Sequence, residues 1–242
     1  MRICHKDTEV KEGFTLSAAE AKSFFNDDRL FIEKYIEKPH HIEFQLVSGR
    51  KDGSKDLEIL CFPERECSIQ RRNQKILEES PSTLLTEETR AEMVRQVKRL
   101  VREVDYSSAG TVEFLVDEKQ NFYFLEMNTR LQVEHPVTEM VSAGDIDLVH
   151  AMIDVAAGKG IPREYMDMLG DQNKLTDLEW EGRSVPFQGH AIEVSDQIPA
   201  ECKLNKTFLT IRYEGKSICR GSLPQFSPIN WAVNKVHRTR TY

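Results

Sequence analysis

The segment that most constrains this chain is TVEFLVDEKQNFYFLEMN at residues 111–128. Two runs of β-branched and aromatic residues flank a polar turn at residues 117–121, which is typical of a β-hairpin. We centre the turn between Lys119 and Gln120. That register opposes Val112 to Met127, Phe114 to Leu125 and Val116 to Tyr123. The segment therefore predicts two antiparallel strands with one apolar face.

The same register places two carboxylates opposite each other on the other face of the hairpin. Glu113 is opposed to Glu126, and Thr111 is opposed to Asn128. Facing carboxylates repel each other unless a cation lies between them, and oxygen ligands of this kind suit Mg²⁺ or Mn²⁺ bound to nucleotide phosphates. Alternatively, one glutamate faces water or pairs with an arginine. The spacing alone leaves both interpretations open.

The first 62 residues predict one short helix followed by strands. Ser17 and Glu20 form a capping box for a helix that ends near residues 27–28. Residues 30–36, 41–47 and 57–62 are rich in apolar and β-branched side chains and predict strands, with Lys38-Pro39 interrupting the first two.

Two further helices are predicted in the middle of the chain. Thr86 is placed to cap the first, whose core-facing side chains are Ala91, Met93, Val94, Val97, Leu100, Val101 and Val104. The second runs from about Asp145 to Ala157 and ends at Gly158. Strands that alternate with helices indicate an α/β or α+β layer architecture.

Composition excludes several classes of protein. The chain has 242 residues, of which 39% are hydrophobic and 30% are charged, and it lacks the run of about 18 apolar residues that a membrane span needs. Its net charge of -7 argues against a broad basic face for nucleic acid. Five cysteines without a C-x-x-C pair favour neither a disulfide framework nor a zinc site, so a reducing compartment is expected.

Two polar segments are candidates for substrate binding. In residues 130–135, the polar side chains Arg130, Gln132 and Glu134 alternate with apolar ones, which offers a cation for an anionic substrate and a carboxylate base. A solvated edge is the alternative. The second segment, residues 65–75, contains Arg65, Arg71, Arg72 and Lys75. It predicts either an anion cradle or a basic loop that pairs with the surplus acids.

Four segments closely resemble the ATP-grasp region of biotin carboxylases. They are EKYIEKPHHIE at 33–43, RECSIQRRNQK at 65–75, YSSAGTVEFLVD at 106–117 and EMNTRLQVEHPVTE at 126–139. Within that family they are most similar to the α subunits of propionyl-CoA carboxylases. The resemblance covers about residues 1–194. It implies an α+β ATP-grasp fold, with residues 1–29 as a remnant of the small lid subdomain, 30–194 as the main ATP-binding subdomain and 195–242 as a divergent tail.

The resemblance also implies roles for individual residues. The metal-binding positions are Glu113, Glu126 and Asn128. The nucleotide-binding positions are Glu33, Lys34, Tyr35 and Ile36, whose backbone would read adenine, and His41 and Gln70 near the ribose. The bicarbonate pocket comprises Lys75, Arg130, Gln132 and Val133, with Glu134 as the general base.

The family chemistry uses ATP with Mg²⁺ or Mn²⁺. Bicarbonate attacks the γ-phosphate to give carboxyphosphate, whose CO₂ carboxylates N1 of biotin on a separate carrier domain. Bicarbonate, that carrier domain and a carboxyltransferase subunit are therefore the implied partners, and no nucleic acid or membrane is expected. The resemblance implies the mitochondrial matrix. Residues 1–10 lack the features of a targeting segment, which leaves the cytoplasm as the alternative.

The sequence departs from the family pattern at both ends. The family has a glycine-rich loop that ends in Gly-Met-Arg where this sequence opens at Met1-Arg2-Ile3, so little bicarbonate-dependent ATPase activity is expected. After Glu193 the family has Cys and Arg, whereas this chain has Val194 and Ser195. A shifted reading frame, an alternative exon or a truncated gene model is our hypothesis for this change.

Residues 195–242 also differ in composition, with eight Lys/Arg against three Asp/Glu. We expect this tail to be poorly ordered, with a short hairpin around residues 208–213 as the alternative. Two other functions remain open. One is a non-catalytic remnant that binds ATP and metal or packs as a subunit, and the other is an ATP-grasp ligase for a different carboxylate, against which residues 130–134 argue.

Overall fold

The computed structural model describes residues 2–71, 74–194, 211–212 and 217–218. The chain divides into two units, residues 1–38 and 39–242. The first unit contains α1 (Asp7–Phe25), which begins after Lys6 and is closed by Asn26 with a positive φ of 55°. Our predicted start at Ser17 is wrong: Ser17 lies inside α1. Once a helix is nucleated it extends through good helix formers, and residues 7–16 contain no proline to stop it.

The predicted strand over residues 30–36 is also wrong, because residues 27–36 form neither helix nor strand. Phe31 and Ile32 are 82% and 75% exposed. A strand is stable only when its backbone groups pair with a neighbour, and the apolar composition of this run carries no information about a partner.

The second unit is built on a seven-stranded antiparallel sheet with helices on both faces. The strands are β1 (His40–Gly49), β2 (Glu58–Cys61), β3 (Arg65–Arg71), β4 (Gln74–Ser80), β5 (Ser108–Val116), β6 (Phe122–Asn128) and β7 (Ala191–Val194). The helices are α2 (Glu87–Glu103), α3 (His135–Val141), α4 (Leu148–Ala156), α5 (Arg163–Asp167) and α6 (Asp177–Glu181), with a 3₁₀ turn at Gln172–Lys174. The spatial order is β6-β5-β1-β3-β4-β7, and β2 pairs with the end of β1 beyond β3.

Strand β1 lies near the centre of the sheet and is buried from Ile42 to Gly49. Ile42, Phe44 and Leu46 belong to a core that includes Met93 and Val97 of α2. Successive side chains of a strand point to opposite faces, so the alternate residues of β1 lie on the face away from α2. Those residues are His41, Glu43 and Gln45. Strand alternation thus places a polar row inside the unit.

Helix α2 confirms the surest helix prediction. The side chain of Thr86 accepts a hydrogen bond from the backbone N–H of Thr89, and Val94, Val97 and Val101 are buried. Val104 was predicted on the same face but is 57% exposed. The helix ends at Glu103, and Val104 is the C-cap residue.

Thr86→Ala is expected to lower the free energy of unfolding by about 1 kcal/mol, because the first turn of α2 loses its capping acceptor. Chemical denaturation of both proteins measures the difference. Thr83→Ala is the matched control, since Thr83 is an exposed threonine outside any helix or strand. Equal losses in the two variants would contradict a capping role for Thr86.

The β5–β6 hairpin has the predicted register in its first half only. Thr111 pairs with Asn128, Val112 with Met127 and Glu113 with Glu126. A β-bulge follows Glu113, so Phe114 pairs with Phe124 and Val116 with Phe122, in place of the predicted partners Leu125 and Tyr123. A bulge adds one residue to one strand, which shifts every later pair by one position.

Helix α4 is shorter than predicted and begins at Leu148. Asp147 is its N-cap, and the side chain accepts a hydrogen bond from the backbone N–H of His150. Gly158 follows with a φ of 76°, as expected of a residue that ends a helix. Leu148 and Ala151 pack in a second core with Val47 of β1. This second core therefore includes the face of β1 that carries the polar row.

The predictions for residues 195–242 fall almost entirely outside the described residues. Within them, β8 (Ile211–Arg212) and β9 (Ser217–Ile218) form an antiparallel pair. No helix in the described part of the chain is long and apolar enough to cross a membrane.

Candidate active site

Three carboxylates and a guanidinium stand in one row across four neighbouring strands. Glu126 of β6 pairs with Glu113 of β5, Glu113 pairs with Glu43 of β1, and Glu43 pairs with Arg65 of β3. Paired residues on adjacent strands point to the same face. The hairpin register predicted two of these carboxylates. The sheet adds a third acid and a buried cation.

Lys75 of β4 contacts two acids of this row and a third acid outside it. Its Nζ donates to Glu43 Oε2, to Glu113 Oε1 at 3.0 Å and to Glu134 Oε1 at 2.7 Å. An ammonium group has three N–H donors, so all three are used. Burial by itself would lower the pKa of Lys75, but the carboxylates of Glu43, Glu134 and Glu113 raise it well above its usual range. Lys75 is therefore a fixed positive charge.

Glu113 is the most heavily hydrogen-bonded carboxylate of the group. Besides Lys75, its Oε1 accepts from Asn128 Nδ2 and Gln132 Nε2 at 2.9 Å each, and its Oε2 lies 2.5 Å from His41 Nε2. Burial would raise the pKa of Glu113, but the hydrogen bond from His41 and the charge of Lys75 outweigh it and hold the pKa well below the ordinary value. Glu113 is ionised at neutral pH.

Gln70 orients His41. Its Nε2 lies 2.9 Å from His41 Nδ1 and 2.8 Å from the backbone oxygen of Cys67. When the Gln70 amide donates to Nδ1, the ring proton of a neutral His41 must sit on Nε2, which faces Glu113. The imidazole is thereby held between an amide donor and a carboxylate acceptor.

Arg65 is fully buried and uses all five of its N–H groups. Its partners are Glu43 at 2.6 Å, Gln45 at 3.0 Å, Thr138 at 2.7 Å, Thr111 at 3.5 Å and Gln132 at 3.0 Å. The guanidinium thus connects three strands to α3 and to the segment that follows β6. Of our two interpretations, pairing with an acid is the one that Arg65 fits, but Arg65 lies in a strand enclosed by the sheet and not in a loop.

Glu134 precedes α3 and is 4% exposed. Burial would raise its pKa, but the positive charges of Lys75 and Arg65 together lower it. The carboxylate is ionised and lies against the ammonium group of Lys75. A carboxylate with a lowered pKa is a weak base while Lys75 remains in contact with it.

The structure joins seven of the sequence-predicted residues in one hydrogen-bond network. They are His41, Gln70, Lys75, Glu113, Asn128, Gln132 and Glu134. Three others lie outside it. Glu126 and Arg130 are exposed, and Val133 is 71% exposed. Residues 130–134 form a loop and turn, so the predicted one-sided alternation holds for Gln132 and Glu134 but not for Arg130.

The predicted adenine-binding residues belong to the first unit. Glu33, Lys34 and Tyr35 are exposed, and Ile36 is partly exposed. All four lie in the stretch that has no regular secondary structure, so their backbone groups are not committed to a strand ladder.

Sequence reasoning did not assign a role to Glu43, Gln45 or Thr138. A signal for the first two was present in HIEFQLVS at residues 41–48, where polar and apolar residues alternate. A strand with acidic and amide side chains at every second position, buried on both faces, must satisfy them internally. Thr138 offered no such signal, because its hydrogen bond to Arg65 spans 73 residues of sequence.

The donor set fits a hard divalent cation. Ligand atoms of His41, Glu43 and Glu113 lie within 4.8 Å of one another. Glu126 is exposed beside Glu113 in the ladder, and Asn128 donates its Nδ2 to Glu113 Oε1. Carboxylate and amide oxygens are the ligands that Mg²⁺ takes in proteins.

Residues 1–164 match the family model described as "Carbamoyl-phosphate synthase L chain, ATP binding domain". The chain belongs to this family. The mitochondrial propionyl-CoA carboxylase alpha chain of Homo sapiens is 57% identical over 168 residues, which cover 69% of this chain and 22% of that protein. The chain therefore spans about a fifth of the length of this curated relative.

Solved structures give the same assignment for this ATP-binding domain. A biotin carboxylase complex with β,γ-ATP from Campylobacter jejuni is 39% identical, with a TM-score of 0.65 over 80% of this chain and 38% of that one. The biotin carboxylase domain of a thermophilic 2-oxoglutarate carboxylase bound to bicarbonate is 41% identical, with a TM-score of 0.59 and the same coverage. The predicted α+β ATP-grasp fold of biotin carboxylases is confirmed.

Proposed function

We propose that this chain is the part of a biotin carboxylase that binds MgATP and bicarbonate for the carboxylation of biotin. One observation carries the proposal. A single ammonium group, Lys75 Nζ, contacts both a carboxylate suited to a metal, Glu113, and a buried carboxylate suited to act as a base, Glu134. An enzyme that joins two anions needs positive charge and a proton acceptor at the same point.

In the proposed reaction, Lys75 and Arg130 attract bicarbonate while Gln132 and the backbone of Val133 position it. Glu134 takes the proton of bicarbonate as an oxygen of bicarbonate attacks the γ-phosphorus of ATP. The bond from that phosphorus to the oxygen of ADP breaks, which gives ADP and carboxyphosphate. Lys75 must release one of its three carboxylates to reach bicarbonate. Loss of that cation from Glu134 would raise the pKa of the carboxylate and make it a better base.

We propose nucleotide contacts at the positions that match the family motifs. His41 and Gln70 would contact the ribose, and the backbone of residues 33–36 would contact adenine. Glu113, Glu126 and Asn128 would hold Mg²⁺ or Mn²⁺, which neutralises phosphate charge when bound. These are the positions that match the family motifs, and the donor chemistry of the three metal candidates supports them.

The finer assignments rest on the relatives. We propose biotin on a separate carrier domain and a carboxyltransferase subunit as partners, with propionyl-CoA as the acyl-CoA and the mitochondrial matrix as the compartment. The name of the human relative supports the last two proposals, the acyl-CoA and the mitochondrial compartment. We also propose residues 1–29 as a remnant of the lid subdomain, 30–194 as the main ATP-grasp subdomain and 195–242 as a divergent tail.

Binding and turnover are tested separately on the 242-residue chain. Titration calorimetry with ATP, with and without Mg²⁺, measures binding. ATP hydrolysis with bicarbonate and free biotin measures turnover. Mg²⁺-dependent binding with bicarbonate-dependent hydrolysis, at the low rate that the sequence predicts for this chain, supports the full proposal. Binding without hydrolysis supports the non-catalytic alternative, and the absence of binding overturns both.

Glu126→Gln and Glu113→Gln are each expected to reduce the Mg²⁺-dependent gain in ATP affinity by about tenfold or more, which is the scale of losses around metal sites. Glu126 is exposed, so its variant tests the metal without disturbing the buried network. Glu118→Gln is the control, since Glu118 is an exposed glutamate in the turn of the same hairpin. A Mg²⁺ effect that survives in both test variants would remove these two residues from the metal site.

A further inference from the structure

A second pair of carboxylates faces across the sheet beside the Lys75 network. Glu78 of β4 is directly opposed to Glu193 of β7 in the antiparallel ladder. Glu78 is 1% exposed and Glu193 is 4% exposed. Each has one carboxylate oxygen, Oε2, that is buried and has no hydrogen-bond partner among the described residues. Buried acids in proteins are normally paired or fully hydrogen-bonded, so this arrangement requires an explanation.

The nearby cations have no donors left for this pair. Lys75 gives its three N–H groups to Glu43, Glu113 and Glu134. Arg65 likewise gives all five of its N–H groups to other partners. These eight donors are the full complement of the two side chains. The unpartnered oxygens of Glu78 and Glu193 are therefore served by neither cation.

The negative charges near the pair act on it more strongly than the positive ones. Glu134, at the start of α3, acts on both acids, and Glu43 of β1 acts on Glu78. The opposing positive charges are Lys75 of β4, which acts on Glu78, and Arg65 of β3, which acts on both.

Helix α3 packs against β4 and β7. Its other ionisable groups are His135 and Glu139, which pair with each other at 4.0 Å between Nε2 and Oε1. Uncompensated buried charge is relieved most simply by protonation.

We propose that Glu78 and Glu193 together hold one proton at neutral pH and form a proton-storing site beside the proposed bicarbonate pocket. Three observations support this inference: the two acids are paired in the sheet, both are buried, and the nearby cations have no donors left for them. Burial, followed by the negative charges of neighbouring acids, raises the pKa of Glu78 to about 7 and that of Glu193 to about 8. Only the link to that pocket rests on the proposed function.

The stored proton responds to the charge on Glu134. When Glu134 accepts a proton from its substrate it becomes neutral, and its repulsion of Glu78 and Glu193 ends. The pKa of the pair then falls, which favours release of the stored proton to water. Conversely, a pair that has lost its proton adds negative charge next to the site where an anion must bind. Protonation of the pair therefore favours the anion.

Infrared difference spectroscopy of the 242-residue chain tests for the proton directly, because a protonated carboxyl absorbs apart from a carboxylate. A carboxylic acid band is expected at pH 6, and it should titrate away between pH 6 and 9. In Glu78→Gln and Glu193→Gln the remaining acid loses its like-charged neighbour, so the midpoint should fall by about one pH unit or more. No band at neutral pH, or a band unchanged in both variants, overturns the proposal.

Stability provides a second measurement. The unfolded acids have a pKa near 4.5, so between pH 4.5 and about 8 the folded state binds more protons than the unfolded state. Stability should fall as pH rises through this window and should fall less steeply in either Gln variant.

Glu64→Gln is the matched control, because Glu64 is a buried carboxylate that Arg90 and the backbone N–H of Ser82 satisfy. It should destabilise the fold without flattening the slope. Equal slopes in the wild type and both test variants contradict proton storage.

Neither measurement uses nucleotide, so a failure to bind ATP leaves the stored proton standing. Glu134→Gln tests the link to the proposed base. It should lower the midpoint of the acid band, because it removes a negative charge that acts on both members of the pair. An unchanged midpoint would reject the coupling to Glu134.

Discussion

Arg65→Met is expected to lower the free energy of unfolding by about 3 to 5 kcal/mol, the usual cost of removing one partner from a buried ion pair. The guanidinium is fully buried, and its loss takes one hydrogen-bond donor from each of Glu43, Gln45 and Gln132. Urea unfolding followed by far-ultraviolet circular dichroism measures the change.

Arg71→Met is the control for this substitution. Arg71 is the last residue of β3, the same strand that Arg65 begins, and it is exposed. Exposed substitutions away from special features usually change stability by no more than about 0.5 kcal/mol. Similar losses in the two variants would mean that the five hydrogen bonds of Arg65 add nothing beyond what an arginine contributes at an exposed site.

Lys75→Met is expected to destabilise the fold by about 3 to 5 kcal/mol at pH 8, because Glu43, Glu113 and Glu134 would face one another without their shared cation. The contribution of Glu113 and Glu134 to the pH dependence of stability should reverse in sign. In the wild type, the lowered pKa values of Glu113 and Glu134 add stability above pH 4.5 that is lost on acidification. In the variant these acids gain protons on folding, so stability should rise as the pH falls.

Lys98→Met provides the matched comparison at a second buried lysine. Lys98 is 2% exposed, and its Nζ donates to the backbone oxygen of Trp180 rather than to a carboxylate. Its loss should cost at most about 1.5 kcal/mol, the value of one hydrogen bond. Unfolding curves at pH 5 and pH 8 for both variants make the comparison. A Lys75→Met protein without a pH-dependent difference from Lys98→Met would show that the three carboxylates repel only weakly.

The local sequence pattern was sufficient to predict the elements that are stabilised by contacts between residues close in sequence. Helix α2 has a cap and an apolar stripe that agree. The predicted pairing of Glu113 with Glu126 is confirmed, although the pairs next to the turn are shifted by one and the bulge after Glu113 restores the register. Family motifs then identified Lys75, Gln132 and Glu134, which the sheet brings together across 59 residues of sequence in the case of Lys75 and Glu134.

The wrong predictions that follow have a common physical cause. Each feature depends on contacts with other segments, and a local sequence pattern does not identify those contacts. The run at residues 30–36 has the composition of a strand but no partner strand among the described residues, and the bulge after Glu113 depends on how the two faces of the hairpin pack. The position of Arg65 inside the sheet was not predicted, because its acceptors come from distant segments. Its burial follows from the acidic and amide side chains of β1 that accept its hydrogen bonds. The sequence pattern predicted a strand there but not these contacts.

The sheet order has a consequence for how this protein acquires its chemistry. Strand β1 has β5 as a neighbour on one side, more than 60 residues away in sequence, and hydrogen bonds of the cluster join His41 to Glu113 across 72 residues. Contacts of such long sequence separation form late and slowly, because a large loop must close before they contribute. A nascent or partly folded chain that has α2 and the β5–β6 hairpin would still lack the cluster. A ligand that needs the cluster would therefore stabilise only the completed sheet, and its binding would report on folding of the whole second unit.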